Sequence, residues 1–124
     1  MIVRTAKDAE LLFAPIFEGL AEEQVAVAYL AEDRQVLAIE QFETGGTDEV
    51  VLPLRAIFAD AMKLGANGLV IAHNHPSGDA APSPGDVEAS RALAAALQAI
   101  EVRLDDHLIF AGDGCQSFRS LGLL

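Results

Sequence analysis

The chain is poor in basic residues, and this restricts the partners it can have. Eight lysines and arginines stand against nineteen acidic residues, which gives a formal net charge of −11. A phosphate backbone attracts basic surfaces, so this balance argues against direct, sequence-independent binding of nucleic acid. The acidic excess is typical of a domain that negative charge keeps in solution.

The sequence contains a single cysteine, and it lacks both a long apolar run and the pattern of a secretory leader. The single cysteine, Cys115, cannot form an internal disulfide, and we expect it to be a small packed residue in a C-terminal hairpin. No run approaches the roughly 18 apolar residues of a membrane span. The N-terminus lacks the basic-then-apolar layout of a secretory signal. We therefore expect a cytoplasmic protein that does not enter a membrane.

The apolar content is sufficient for a core. With 124 residues, 52% of them hydrophobic, the sequence predicts one domain spanning residues 1–124. The order of elements predicts an α/β fold, in which helices pack against a mixed sheet.

Local patterns predict the individual elements. A helix is expected at residues 5–19, where Pro15 would kink or split it. A second helix is expected at residues 53–65, with Ile57, Met62 and Leu64 along its apolar face. A third is expected to begin at Ser83, as N-cap, and to end at residue 100. Strands are expected at residues 25–30 and 36–42 as a hairpin, at 49–52, 69–72, 102–104, 108–111 and 115–118, with loops at 45–48 and 112–114.

The most informative stretch follows the strand at residues 69–72. It reads His73-Asn74-His75-Pro76-Ser77-Gly78 and leads into the helix that starts at Ser83. Alternate residues of a strand point the same way, so His73 and His75 can present both imidazoles on one side. Two imidazoles and one carboxylate form a common catalytic zinc set whose fourth position stays open.

Asp86 is the best candidate for the third ligand. It lies in the first turn of the predicted helix, where the helix dipole favours an anion. Asp79, in the intervening loop, is the alternative. The combination of His-x-His with a helix-start aspartate predicts a metal site more strongly than either part does.

A hydrolase built on such a site also needs a group that moves protons. Glu22 and Glu23, immediately before the first strand of the hairpin, are the candidates, although two adjacent glutamates can simply form a polar connection. The third histidine, His107, is expected to be a buried, hydrogen-bonded structural residue, and a role behind the metal ligands is the alternative.

The spacing of these residues resembles a known family. His73-x-His75, seven residues, and Ser83-x-x-Asp86 match the JAMM signature of JAB/MPN metalloproteases. The stretch of residues 72–79, together with Asp106-His107-Leu108 and Gly112, is similar to the RadC-like branch. The likeness runs from about residue 8 to the C-terminus, and differs from the branch pattern at Val25 and Ser90.

The resemblance implies a cytidine-deaminase-like, three-layer α/β/α domain. It implies Zn²⁺ held by His73, His75 and Asp86, and hydrolysis of a peptide or isopeptide bond, typically next to a ubiquitin-like protein, by a metal-activated water. Glu23 would be the base, with Glu22 as the fallback. Ser83 would donate a hydrogen bond to the oxyanion.

Other functions are less favoured by the residues. A non-catalytic metal-binding or DNA-repair-associated accessory protein is the main alternative, although RadC-like proteins usually carry an N-terminal helix-hairpin-helix region for which we expect no room here. An HNH nuclease would need a basic DNA surface. A nucleoside deaminase would need a Pro-Cys-x-x-Cys pair, which the sequence lacks.

Overall fold

The computed structural model describes residues 1–44, 51–112 and 114–124. Within these ranges the chain forms three helices and five strands. In chain order they are α1 (Ala6–Phe17), β1 (Gln24–Leu30), β2 (Val36–Glu43), α2 (Leu54–Leu64), β3 (Gly68–Asn74), α3 (Pro84–Gln98), β4 (Arg103–Ala111) and β5 (Gly114–Ser117). None of the helices in these ranges is both long and apolar enough to cross a membrane.

The strands form one mixed sheet in the order β2-β1-β3-β4-β5. β3 and β4 run parallel and are joined through α3, whereas the other neighbouring pairs are antiparallel. The prediction of an α/β fold with a mixed sheet is therefore confirmed. β3 lies at the centre of the sheet, and all seven of its residues are buried.

Alternate residues of the central strands supply two separate cores. On one face Val27 and Ile71 pack against α2 and α3, through side chains such as Ile57 and Leu93. On the other face Ala28 and Val70 are packed with residues of α1. The result is three layers, with one helix on one face of the sheet and two on the other.

Helix α1 is not split at Pro15, contrary to one of the two outcomes that the sequence predicts. It runs unbroken from Ala6 to Phe17 and begins with the expected capping box of Thr5 and Asp8. The missing amide of Pro15 is tolerated because this residue is exposed, whereas Phe13 and Phe17 on the opposite stripe are buried.

The side chains that helix α2 buries against the sheet differ in part from those that the sequence predicts. Ile57 is buried, but Met62 is 68% exposed and Leu64 is 37% exposed, and Ala61 instead makes the second buried contact. The helix ends as expected at Gly65, which adopts the left-handed conformation. The loop predicted at 45–48 and the first half of the strand predicted at 49–52 lie outside the described residues. Residues 51 and 52 belong to no strand.

The two strands predicted at 102–104 and 108–111 are one continuous strand, β4. Its pairing with β3 shifts register between the partners of Leu69 and Val70, so that Asp105 is an extra, bulged residue. The sequence is misleading here because the acidic pair Asp105-Asp106 indicates a turn. The strand accommodates both carboxylates, since Asp105 pairs with Arg103 and Asp106 accepts bonds from the backbone amides of His107 and Arg119.

The C-terminal hairpin agrees with the sequence. β5 pairs with β4 from Gly114 to Ser117, although Asp113 in the predicted turn is outside the described residues. Cys115 is half-buried against the core on the α1 face. Burial raises the pKa of its thiol to about 12, which keeps it protonated at neutral pH.

Candidate metal centre

The two histidines and Asp86 meet where β3 ends and α3 begins. His73 lies on the face of β3 that α3 covers, because it alternates with Leu69 and Ile71, which pack there. His75 follows the strand, and its backbone amide donates to Phe110 O of β4 at 2.8 Å. Asp86 is in the first turn of α3 and fully buried.

Two imidazole nitrogens and both carboxylate oxygens of these three residues converge. His73 Nε2 lies 3.1 Å from His75 Nε2, and His75 Nε2 lies 3.0 Å from Asp86 Oδ2. The third distance, from His73 Nε2 to Asp86 Oδ1, is 3.5 Å. Tetrahedral zinc bonds of ordinary length would set neighbouring ligand atoms about 3.3 to 3.6 Å apart, close to this spacing.

The helix start fixes the carboxylate of Asp86. Ser83 is the N-cap, and its Oγ accepts from the Asp86 amide at 3.0 Å. In return the Ser83 amide donates to Asp86 Oδ2 at 3.0 Å, which completes a capping box. The same motif that ends the loop and starts the helix therefore orients the third candidate ligand.

The loop fixes the ring of His75. Its Nδ1 lies 2.8 Å from the backbone carbonyl of Asp79, and a carbonyl oxygen can only accept. Nδ1 therefore carries a proton, and Nε2 of the neutral ring is left with a lone pair. The side chain of Asp79, the alternative ligand, is exposed, and its Oδ1 accepts instead from the Ala81 amide.

These residues fit a metal ion. Two imidazole nitrogens and a carboxylate face one another, and all are ligand atoms that zinc accepts. Asp86 Oδ1 is buried and has no hydrogen-bond partner among the described residues, which is costly unless a cation is bound nearby. The cluster can therefore hold a metal ion, with His73, His75 and Asp86 as ligands.

The charges of the cluster agree with that function. Burial opposes ionisation of Asp86, but the nearby His73 and the hydrogen bonds with Ser83 outweigh it and hold the pKa of Asp86 well below the usual range. Burial also lowers the pKa of His73, against the opposing effect of Asp86. An ionised carboxylate and a neutral imidazole are the forms that bind a metal.

The two candidate bases differ in their surroundings. Glu23 is buried, with 7% of its surface exposed, whereas Glu22 is exposed. β1 pairs with β3 so that Val25 lies opposite His73. Continued by two residues, this antiparallel register sets Glu23 opposite His75, on the side of the sheet where the candidate ligands meet.

Asn74 is a residue whose contribution the sequence did not reveal. Its Oδ1 accepts from the Gln24 amide at 2.7 Å, and its Nδ2 donates to Glu22 O at 2.9 Å. The two bonds fix the backbone on both sides of Glu23. The sequence did hold one indication of this role. Asn74 lies between two candidate ligands on a strand, so its side-chain carboxamide points to the opposite face of the sheet and, when buried, needs hydrogen-bond partners there.

His107 is buried and hydrogen-bonded, as expected, and it also contacts a candidate ligand. Its Nε2 lies 2.7 Å from His73 Nδ1, and its Nδ1 is hydrogen-bonded to Ser90 Oγ. Ser90 was not recognised as part of this group. The signal was its position four residues after Asp86, which places both on the same face of α3.

Comparison with known proteins adds the family. The family model of the RadC-like JAB domain matches residues 3–123. The chain is 36% identical over 106 residues to UPF0758 protein YfjY of Escherichia coli (strain K12), covering 86% of this chain and 66% of that protein. It is 31% identical over 121 residues to a UPF0758 protein of Flavobacterium johnsoniae, covering 98% of this chain and 53% of that protein.

The chain thus spans about half to two thirds of the length of these relatives. The match to the family model nevertheless covers almost the entire chain, and it includes the three candidate ligands, Glu23 and Ser83. The chain therefore belongs to the RadC-like JAB domain family.

Proposed function

We propose that the chain is a zinc-dependent metallopeptidase or isopeptidase. The observation that carries this proposal is the convergence of His73 Nε2, His75 Nε2 and a buried carboxylate oxygen of Asp86 that lacks a hydrogen-bond partner among the described residues. Zinc bound there would lower the pKa of a water molecule toward about 7 and polarise the carbonyl under attack.

Glu23 is the proposed general base and acid. It takes a proton from the attacking water as the new C–O bond forms, and it gives that proton to the amine when the C–N bond breaks. Two features support this assignment over Glu22: the burial of Glu23, and the β1–β3 register, which sets Glu23 opposite His75 when it is continued by two residues beyond the pair of Val25 and His73. The hydrogen bonds of Asn74 to Glu22 O and to the Gln24 amide fix the backbone on both sides of Glu23.

Ser83 is the proposed donor to the oxyanion of the tetrahedral intermediate. Its contact with the Asp86 amide uses a lone pair of Oγ and not the hydroxyl proton. The N-cap position, three residues before a candidate ligand, keeps this hydroxyl close to the reacting carbonyl. A preorganised donor of this kind is often worth about 3 kcal/mol in the transition state.

A cleft of about 420 Å³ adjoins the candidate site through His75, on the side of the sheet that α1 covers. It begins at His75 and Pro76 and continues between α1 and the β4–β5 hairpin. Its floor includes the stacked rings of Phe17 and Phe110, whose centroids are 5.1 Å apart, and Glu10 and Glu18 also line it. We propose that an extended segment, such as the tail of a ubiquitin-like protein, occupies this cleft.

The test compares two neighbouring glutamates in the zinc-loaded protein. Wild type, Glu23→Gln and Glu22→Gln are assayed for bound zinc by elemental analysis, and for cleavage of quenched peptide and isopeptide libraries. We expect about one zinc per chain in all three proteins. Cleavage should fall by at least two orders of magnitude in Glu23→Gln alone.

Other outcomes contradict the proposal in different ways. Equal loss of cleavage in both glutamate variants would assign the effect to the shared segment and not to a base. Zinc bound without cleavage of any peptide or isopeptide would favour the non-catalytic, accessory function. Absence of bound zinc after zinc is offered would make the three residues structural.

A further inference from the structure

A buried hydrogen-bonded chain extends from the candidate metal site into the protein. It passes from His73 Nδ1 to His107 Nε2, 2.7 Å away, and from His107 Nδ1 to Ser90 Oγ. All three residues are fully buried. The chain therefore joins β3, β4 and α3 on the side of His73 that faces away from Asp86 and His75.

The ring of His107 has a defined place. On β4 it lies beside Ile71 of β3 through the parallel pairing, and Phe118 stacks on it with ring centroids 4.4 Å apart. A neutral imidazole donates through one nitrogen and accepts through the other.

The two possible proton positions have opposite consequences for His73. If His107 Nε2 accepts, then His73 carries its proton on Nδ1 and directs the lone pair of Nε2 toward His75 and Asp86. If His107 Nε2 donates, then neutral His73 carries its proton on Nε2, in the middle of the ligand cluster. Only the first arrangement leaves His73 able to bind a metal.

We propose that His107, supported by Ser90, is a positioning residue that accepts the Nδ1 proton of His73 and so keeps Nε2 open for the metal. His107 Nδ1 then donates to Ser90 Oγ, which completes the chain in one direction. The inference rests on the metal site of the proposed function and not on peptide cleavage. Partners behind a metal-binding histidine typically change metal affinity by about 10- to 100-fold.

The first test measures Co²⁺ affinity by the absorption bands of the bound ion. His107→Leu removes the acceptor at similar volume, and His107→Gln restores an acceptor near the position of Nε2. We expect the affinity for Co²⁺ to fall by about 10- to 100-fold in His107→Leu and to return to within a few-fold of wild type in His107→Gln. Phe118→Leu is the control, because it loosens the packing around His107 without removing a hydrogen bond.

A purely structural role of His107 predicts a different pattern. His107→Leu and Phe118→Leu would then lower the thermal stability of the metal-free protein alike and leave the affinity for Co²⁺ unchanged, which would overturn the inference. Should His107→Leu fail to fold, Ser90→Ala serves in its place. It is expected to weaken Co²⁺ binding several-fold, and wild-type affinity in that variant would also overturn the inference.

The second test locates the proton directly. In ¹⁵N-labelled, zinc-loaded protein, the one-bond coupling should place the shared proton on His73 Nδ1, with a weaker coupling across the hydrogen bond to His107 Nε2. A proton on His107 Nε2, or the absence of coupling between the two rings, would contradict the proposal.

The failure of this inference can be told apart from the failure of the proposed function. If wild type binds neither Co²⁺ nor Zn²⁺, the inference and the proposed zinc site both fail. If it binds metal but cleaves nothing, only the proposed activity fails.

Discussion

His75 Nε2 and Asp86 Oδ2 lie 3.0 Å apart, although the neutral ring offers only a lone pair at that nitrogen. The Asp79 carbonyl holds the ring proton on the other nitrogen, so two acceptors face each other. Such a contact is unfavourable unless a positive charge is present, as a second proton on His75 or as a metal ion. The nearby lone pair of His73 favours the metal ion, because three converging acceptors suit one divalent cation better than one proton.

Two capping boxes in the described part of the chain allow the proposed contribution of Asp86 to metal binding to be separated from its contribution to the helix. Asp86 caps α3 and Asp8 caps α1 through the same pair of hydrogen bonds. Asp86→Ala and Asp8→Ala should therefore both lower the melting temperature of the metal-free protein. Only Asp86→Ala should abolish the rise in melting temperature that added Zn²⁺ gives to wild type, because Asp86 is a candidate metal ligand and Asp8 is not.

Differential scanning calorimetry with Zn²⁺ and with a chelator measures both effects. A zinc-dependent rise in melting temperature that survives Asp86→Ala would exclude this carboxylate as a ligand. If Asp8→Ala also lost the zinc-dependent rise in melting temperature, weakening either helix cap would be enough to disrupt zinc binding. The loss of that rise in Asp86→Ala would then not identify Asp86 as a ligand.

Asn74 offers a test of how Glu23 is held. Asn74→Ala removes the acceptor of the Gln24 amide and the donor to Glu22 O. We expect a loss of about 1 to 3 kcal/mol in the free energy of unfolding, because both backbone groups lie in a partly buried segment. Hydrogen exchange of the Gln24 amide should accelerate, and kcat should fall while zinc content stays at the wild-type value. Unchanged kcat together with faster exchange would show that the backbone of this segment does not control the base.

The candidate metal ligands could be predicted from the sequence because the position of each depends on local structure. His73 and His75 share a side through the two-residue period of a strand, and Asp86 is placed by a helix start that Ser83 and Pro84 signal on their own. The mixed sheet followed in the same way from the order of apolar runs. These features need no knowledge of contacts between distant residues.

The remaining parts depend on such contacts. Asn74 bonds to residues about fifty positions earlier in the chain, and His107 meets Ser90 only because β4 lies beside β3 under α3. The bulge at Asp105 is another example, since the register of β4 against β3 decides it. A single sequence carries the periodicity of each element but not the pairing between elements.

The environment of Tyr29 predicts that the free energy of unfolding falls at alkaline pH, independently of the candidate metal site. Its hydroxyl is 3.3 Å from Asp60 Oδ2, and burial, followed by the negative charge of Asp60, raises its pKa well above the ordinary value of 10.0. The unfolded chain therefore loses this proton more readily than the folded protein does. The stabilising contribution is complete below about pH 10 and is lost as the pH rises further.

Urea unfolding at pH 8 and pH 11 tests this prediction. Wild type should lose free energy of unfolding between the two values, and Tyr29→Phe should lose less, because phenylalanine does not ionise. At pH 8 the substitution should cost about 1 kcal/mol for the hydrogen bond. Parallel losses in both proteins would assign the alkaline effect to other groups.

The cleft beside His75 predicts where a bulky side chain blocks the substrate. Ala14 lines the cleft from α1, whereas Leu11 of the same helix is 58% exposed and lies outside it. Ala14→Trp should fill part of the cleft and lower kcat/KM for peptides by about tenfold or more, with zinc content unchanged, since an ill-fitting contact of this size costs about 1 to 3 kcal/mol. Leu11→Trp adds a similar ring on the solvent side and should leave kcat/KM near the wild-type value. Equal kcat/KM in both variants, with both proteins folded, would mean that the substrate approaches the zinc site from the other side of His75.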